Sequence, residues 1–441
     1  MTKARRDGLF LLLLGSVSFV AMGSVVGQMG SGTMGDFKLV YYQARTLLQH
    51  GDPYKPNETL RAYAAIEGQP LQSSGRPLQD LTPGVYPPTT LIFIAPFAML
   101  PWVPADVLWM IFTAGSFILA AYLIWDLGAK HAPLISGCLV SFLLANSISL
   151  LITGNPAGIA ISLCVVAVWC FLRDMFVWAG ILCLAVSLAL KVHDAGLVWL
   201  YFLLAGVPYR KLALQTLLVS AVLGLAAIAW ITPIAPNWIQ ELHSNLQVTS
   251  ARGGNADPGP ASGSPHSGVM VIDLQSVISV FRDDPRVYNP TSYLVCGALL
   301  LVWSFVTLSS RFSPARANLA LAAIVPLTLL VTYHRTYDAK LLLLAVPACA
   351  MLWAEGGLAG RLALAATTAG LVSIADYPLV VLYMLTENPH WDSAGLFGKM
   401  LTVVLTRPIP LILLAMSIFY LWLYVRSALN RVESKVASAP S

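Results

Sequence analysis

The sequence predicts an all-α polytopic membrane protein. Three observations carry that prediction. Of 441 residues 57% are hydrophobic and only 11% are charged, against roughly a quarter charged in a soluble domain. The mean hydropathy is +0.73. Apolar stretches of span length recur along the whole chain, so one membrane domain is a better count than the several soluble domains the length would otherwise suggest. A soluble globular enzyme, a disordered chain and a nucleic-acid-binding protein are excluded on the same grounds. The excess of 26 Lys+Arg over 21 Asp+Glu matters for its position along the chain, not its size.

The first element follows Lys3, Arg5 and Arg6 as an uncharged stretch from Gly8 to Gly35. A signal peptide has an apolar core of about 7–15 residues. This stretch is longer, so a first transmembrane helix is expected, basic end in the cytoplasm and Asp36 just outside. Further apolar runs lie at 88–101, 104–126, 132–153, 155–172, 175–190, 195–208, 211–232, 291–310, 317–333, 339–354, 362–383 and 400–425. Arg173, Arg210/Lys211, Arg311/Arg316, Arg361 and Arg426/Arg431 punctuate them. With each cluster inside, the spans after Arg173 alternate without conflict. An even number must separate Lys3 from Arg173, and the run 88–101 falls short of the roughly 20 residues a span needs. It is read as a half helix. About 12 transmembrane helices follow, in a single domain over 1–425 with a cytoplasmic tail at 426–441 and both termini inside.

Two outer loops result, 30–87 and 233–290. The first opens with an amphipathic helix: Phe37, Val40, Tyr41, Ala44, Leu47 and Leu48 form a stripe of helical period. Gly51-Asp52-Pro53 ends it. Such a helix is expected flat in the lipid interface. The second loop begins with another interfacial candidate, Trp238 to Val248. A Gly/Pro/Ser-rich linker follows from Gly253 to Gly268, then a short helix from Asp273 to Phe281.

Ionisable groups at the edge of a span are costly and mark candidate sites. Four places qualify on the outer side: Asp36; Lys191-Val192-His193-Asp194; the turn Tyr333-His334-Arg335-Thr336-Tyr337-Asp338 with Lys340; and Asn155-Pro156. Each has an ordinary structural reading. Asp36 suits a helix N-terminus, the lysines and arginine suit snorkelling anchors, the tyrosines suit an aromatic belt, and Asn155-Pro156 is first a helix break. Their convergence on one side of the membrane favours chemistry. A carboxylate beside cations at a lipid-accessible cleft suits group transfer from a phosphate-bearing lipid. The six cysteines all lie in apolar runs without a C-x-x-C pair, so neither disulfide nor thiolate-metal chemistry is expected.

The segment Gly35-Asp36-Phe37-x-x-x-Tyr41-Tyr42-x-Ala44-Arg45-x-Leu47-Leu48-x-x-Gly51-x-Pro53-Tyr54 resembles the first outer loop of glycosyltransferase family 87. That family belongs to the polytopic glycosyltransferase C superfamily and includes the mannosyltransferases of phosphatidylinositol-mannoside synthesis. Val85-Tyr86-Pro87-Pro88 with Leu100-Pro101, Lys191 closing its run, and Tyr333-His334-Arg335-x-Tyr337-Asp338 before Pro347 are similar too.

The resemblance implies a glycosyltransferase C-type fold. It also implies transfer, with inversion, of a sugar from a polyprenyl-phosphate donor to a lipid or glycan hydroxyl, on the extracytoplasmic face of a bacterial-type inner (plasma) membrane. Asp36 maps to the general base and His334 to the implicated late-turn histidine. Tyr86, Tyr337, His193 and Arg45 join them as candidate substrate-binding residues. By physical reasoning Lys191 and Arg335 face the donor phosphate. Membrane lipid, the donor and the acceptor are the expected partners, and nucleic acid is not. The first loop lacks an Asp-x-Asp or Glu-x-Asp pair, so no metal or other cofactor is expected. A transporter or flippase of a lipid-linked sugar, and a structural subunit, are the alternative readings.

Overall fold

The computed structural model describes residues 2–29, 34–67, 83–259, 270–386 and 395–437. Among these, every regular element is helical apart from one isolated β-bridge, Val271 with Arg335. The chain begins with α1 (Lys3–Met29), α2 (Gly35–Leu48), α3 (Pro56–Glu67), α4 (Pro88–Ala98) and α5 (Trp102–Gly128). It continues through α6 (Pro133–Ala145), α7 (Ser149–Thr153), α8 (Ala157–Arg173), α9 (Val177–Leu190), α10 (Val192–Leu204) and α11 (Val207–Ile231). Next come α12 (Trp238–Ser250), α13 (Leu274–Phe281), α14 (Pro285–Ser309) and α15 (Pro314–Val331). A 3-10 turn (Asp338–Ala345) leads into α16 (Val346–Glu355), α17 (Gly357–Ser373), α18 (Asp376–Thr386), α19 (Leu396–Thr406) and α20 (Pro408–Ala437).

Among the described residues seven stretches are long and apolar enough to cross a membrane, and eight if α17 and α18, bent by 66°, count as one. About 12 were expected from hydropathy. The difference has a geometric cause. The runs at 155–172, 175–190 and 195–208 form helices of 17, 14 and 13 residues, below the roughly 20 needed to span upright. The run 339–354 opens in 3-10 form, and 362–383 is the bent pair α17–α18. The half helix expected at 88–101 is α4, an 11-residue helix with Pro96 inside it.

The outward faces of the long helices are apolar. Leu218 and Leu225 on α11 are 66% and 67% exposed, and Leu294, Leu301 and Phe305 on α14 are 74%, 73% and 71%. A water-soluble monomer rarely tolerates such continuous bands, whereas lipid covers them at no cost. Inside, α15 is the most enclosed span, 83% buried, and packs with α16, α20 and the 3-10 turn in the main core.

The two ends of the bundle are chemically distinct. Asp126 at the end of α5 meets Arg5 of α1 at 3.2 Å and Arg173 of α8, and Trp169 Nε1 donates to it at 3.1 Å. Arg5 and Arg173 therefore share one end, the arrangement that the even number of crossings between them requires. The 27 residues of α1 rise about 40 Å, which puts Asp36 at the other end.

There the amphipathic helix departs from expectation. The stripe of α2 is covered by protein, not lipid: Phe37 stacks on Trp109 (centroids 4.6 Å, planes 7° apart) and on Trp102 (5.7 Å). Tyr41 Oη donates to the Leu100 carbonyl at 2.7 Å. Offset aromatic pairs contribute about 0.5–1.5 kcal/mol each beyond their buried area, enough to hold α2 against α4 and the start of α5. α12 is exposed along most of its length, Ile239, Leu246 and Val248 included, while Asn245 is buried.

Candidate active site

The site grows from helix breaks. α7 ends at Gly154, whose φ of +62° lies in the left-handed region, and Trp109 Nε1 donates to its carbonyl at 2.8 Å. A Cβ there would clash with Met34 Sδ and meet Phe37 Cβ at 2.8 Å, so glycine permits both the turn and the approach of α2. Asn155 follows. Its Oδ1 accepts from the Ala157 N–H at 2.9 Å, capping α8 and turning the amide nitrogen the other way. That Nδ2 lies 2.8 Å from Asp36 Oδ2, 2.9 Å from Tyr86 Oη and 3.0 Å from Tyr337 Oη. Asn155 thus ties the first outer loop, the Tyr-Pro-Pro segment and the late turn together.

The second break lies between α9 and α10. Thr89 and Thr90 at the start of α4 donate to the final carbonyls of α9, Ala189 at 2.5 Å and Leu190 at 3.0 Å. These bonds release the chain at Lys191, whose ammonium pairs with Asp338, lies 3.8 Å from Asp194 Oδ2 and sits 5.2 Å over the Tyr337 ring. Lys191 is 9% exposed, and two aspartates already answer its charge.

The late turn is held from two sides. Ile272 N–H donates to the His334 carbonyl at 3.1 Å and Thr336 N–H to the Met270 carbonyl at 3.2 Å. Asp338 Oδ2 accepts from the Arg335 N–H at 2.8 Å. The Arg335 guanidinium bonds the Tyr333 hydroxyl and reaches the Asn255 carbonyl at 3.1 Å. Among the described residues it has no carboxylate within ion-pair reach, so its charge is available. His334 is fully buried, with Nδ1 2.8 Å from the Thr332 carbonyl and Nε2 3.4 Å from Asp194 Oδ1. The latter contact is an ion-pair distance without hydrogen-bond geometry.

Asp36 is half-buried in the first turn of α2. Burial raises its pKa above the ordinary 3.8, more than the Asn155 hydrogen bond and the charges of Arg335 and Lys191 lower it. For His334, burial opposes the imidazolium, but Asp194 outweighs it and the pKa lies above 6.5. A carboxylate of raised basicity within electrostatic reach of a guanidinium that has no carboxylate partner among the described residues can accept a proton while an anion is held nearby.

Of the expected site residues, Asp36, Tyr86 and Tyr337 meet directly at Asn155, and Lys191, His193, His334 and Arg335 surround the same turn. Arg45 stands apart, its Nη1 donating to the Ala98 carbonyl at 2.6 Å. Clefts of about 470 Å³ beside Arg210 and about 480 Å³ beside Arg61 share no residue with this cluster.

Residues 85–271 match the model of glycosyltransferase family 87. This is the family that the first outer loop resembles, and it indicates a glycosyltransferase. The family 87 match takes in Tyr86, Asn155, Lys191 and His193, and stops short of Asp36 on one side and the 333–338 turn on the other. No curated protein and no solved structure matches the chain.

Sequence reasoning flagged Asn155-Pro156 as a candidate place, a helix break first, and gave Asn155 no role in the site. Its polar contacts arise from that break, because only a residue outside regular helix could cap α8 and face Asp36 together. Asp338 and Asp194 stood inside the flagged motifs without a role; they turn out to be the counter-charges of Lys191.

Proposed function

We propose that the protein transfers a hexose, mannose being the first candidate, from a polyprenyl-phosphate donor to a hydroxyl of a lipid or glycan acceptor. The observation that carries this reading is Asp36, held by Asn155 on Oδ2, with Oδ1 bonded to none of the described residues and Arg335 close enough to act on its charge. The acceptor O–H gives its proton to Asp36 as the oxygen attacks the anomeric carbon. The bond from that carbon to the phosphate oxygen breaks, the configuration inverts, and polyprenyl phosphate departs. Arg335 holds the departing phosphate, aided by the N-termini of α8 and α10, which suit anions. Lys191 shapes this electrostatic field through Asp338, and His334, buried between the Thr332 carbonyl and Asp194, steadies the turn that carries Arg335.

The family 87 match supports the class of reaction, and the wealth of membrane helices supports a lipid-borne donor. A glycosyltransferase C-type fold in a bacterial-type plasma membrane, its reaction on the extracytoplasmic face and both termini cytoplasmic, fits the segregation of Arg5 and Arg173 from Asp36. The test is to offer the purified protein a panel of labelled polyprenyl-phosphate sugars with total membrane lipid. Labelled glycolipid or glycan with equimolar free polyprenyl phosphate is expected. Donor that only moves between leaflets, uncleaved, would instead establish a flippase.

A further inference from the structure

We propose that His193, Asp194 and His334 form a binding site for a divalent transition-metal ion of the zinc class. The inference stands on ligand geometry and holds or fails independently of sugar transfer. One donor atom from each of the three lies within 4.8 Å of the others. His334 Nδ1 faces the Thr332 carbonyl at 2.8 Å, so that nitrogen carries the proton. In the neutral ring Nε2 is then a lone pair directed at a carboxylate oxygen 3.4 Å away. Two acceptors facing each other in a buried place require a cation between them.

A proton is one such cation, but a charge-assisted N–H···O bond closes to about 2.7–2.9 Å. The observed 3.4 Å instead suits two ligands on one edge of a tetrahedral zinc site, where bonds of about 2.0–2.2 Å put donor atoms roughly 3.3–3.6 Å apart. A second observation agrees: His334 Nε2 and both Asp194 carboxylate oxygens are fully buried without a hydrogen-bond partner among the described residues. Native proteins seldom leave such groups unanswered.

The surroundings resemble those of a metal centre. The Thr332 carbonyl fixes the tautomer and ring of His334, as outer partners of ligating histidines do. Lys191 lies on the other carboxylate oxygen, Asp194 Oδ2 at 3.8 Å, leaving Oδ1 to the histidines. His193 Nε2 lies 4.0 Å from Oδ1 with its side chain 38% exposed, so it can swing in and gives the ion an entrance. Two imidazoles and one carboxylate leave a fourth position open, the pattern of a reactive and not a closed structural site. This ligand set differs from the acidic pair that the first outer loop lacks.

The full-length protein in detergent, stripped with chelator and re-equilibrated with zinc, provides the test. About one zinc per chain is expected after dialysis. X-ray absorption should show two imidazole nitrogens at about 2.0–2.1 Å. His193→Ala, at a half-exposed position, should raise the zinc Kd at least about 10-fold, while Asp36→Asn binds zinc as the wild type does. A wild-type protein that retains no zinc, a metal shell without imidazole, or an unchanged Kd in His193→Ala would overturn the proposal.

Discussion

Asn155 donates its side-chain amide to Asp36 Oδ2 at 2.8 Å while its own Oδ1 caps α8 through the Ala157 N–H at 2.9 Å. The helix cap and the orientation of the carboxylate are therefore one interaction. Asn155 also favours the ionised form of Asp36, against the burial that raises its pKa.

The pH dependence of kcat/KM should report that balance. A base works only when ionised, so activity falls as pH drops through the Asp36 pKa, and this acid limb should lie above the ordinary 3.8. Asn155→Ala removes a bond to the ionised form, so the limb should move further up in pH, with kcat lowered by up to about 10²-fold through lost orientation. A limb that stays in place in Asn155→Ala would dissociate Asn155 from the base.

Among the described residues Arg335 has no carboxylate within ion-pair reach, whereas Lys191 is already paired with Asp338 and near Asp194. A hydrogen bond to a charged group is worth about 1.5–3 kcal/mol. Arg335→Ala should therefore raise the donor KM by about 10–100-fold, and Arg335→Lys should recover part of it. Initial-rate kinetics at varied donor concentration decide this, and an unchanged KM would remove Arg335 from the phosphate.

Gly154→Ala should damage the site from outside it. Its φ of +62° costs a side-chain-bearing residue about 1–2 kcal/mol, and the added methyl collides with Met34 and Phe37. Lower thermal stability and lower activity together are expected, since α2 carries Asp36. Melting of the detergent-solubilised variant measures the first.

Lys340 is fully buried, yet each of its protons has an acceptor: the Asn146 carbonyl at 2.9 Å, the Ile374 carbonyl at 2.8 Å and Asp376 Oδ1 at 2.9 Å. Asp376 also accepts from the Ser149 N–H at 2.6 Å, so this pair fastens the bend between α17 and α18 to the start of α7. Removing one partner of a buried ion pair costs about 3–5 kcal/mol. Asp376→Ala should lower the melting temperature markedly and Asp376→Asn less so. An unshifted melt in both would show that the pair does not stabilise the fold.

The residues that were legible in the sequence are those whose cost is visible there. Asp36, Lys191 and the 333–338 turn interrupt apolar runs, and charge in such places needs a reason. The helix breaks at Asn155 and Lys191 were visible for the same reason. What the sequence could not convey is partnership. Periodicity shows that α2 has an apolar face, but nothing local says that Trp102 and Trp109 cover it instead of lipid. Likewise Lys191 reads as a free cation until folding brings Asp338 to it. Hydropathy counts more spans than helix length does among the described residues, because hydropathy measures apolar length and backbone geometry decides helix length, as at the short helices α8 to α10 and the 3-10 turn from Asp338.

The most direct test of Asp36 as the base is Asp36→Asn, which keeps the shape of the side chain and removes its basicity. Positioned general bases supply about 10²–10⁴-fold, so sugar transfer from the polyprenyl-phosphate donor should fall by at least that lower bound. Expression and melting temperature should stay at wild-type values. Wild-type turnover in a well-folded Asp36→Asn protein would contradict the assignment of Asp36 and the mechanism built on it.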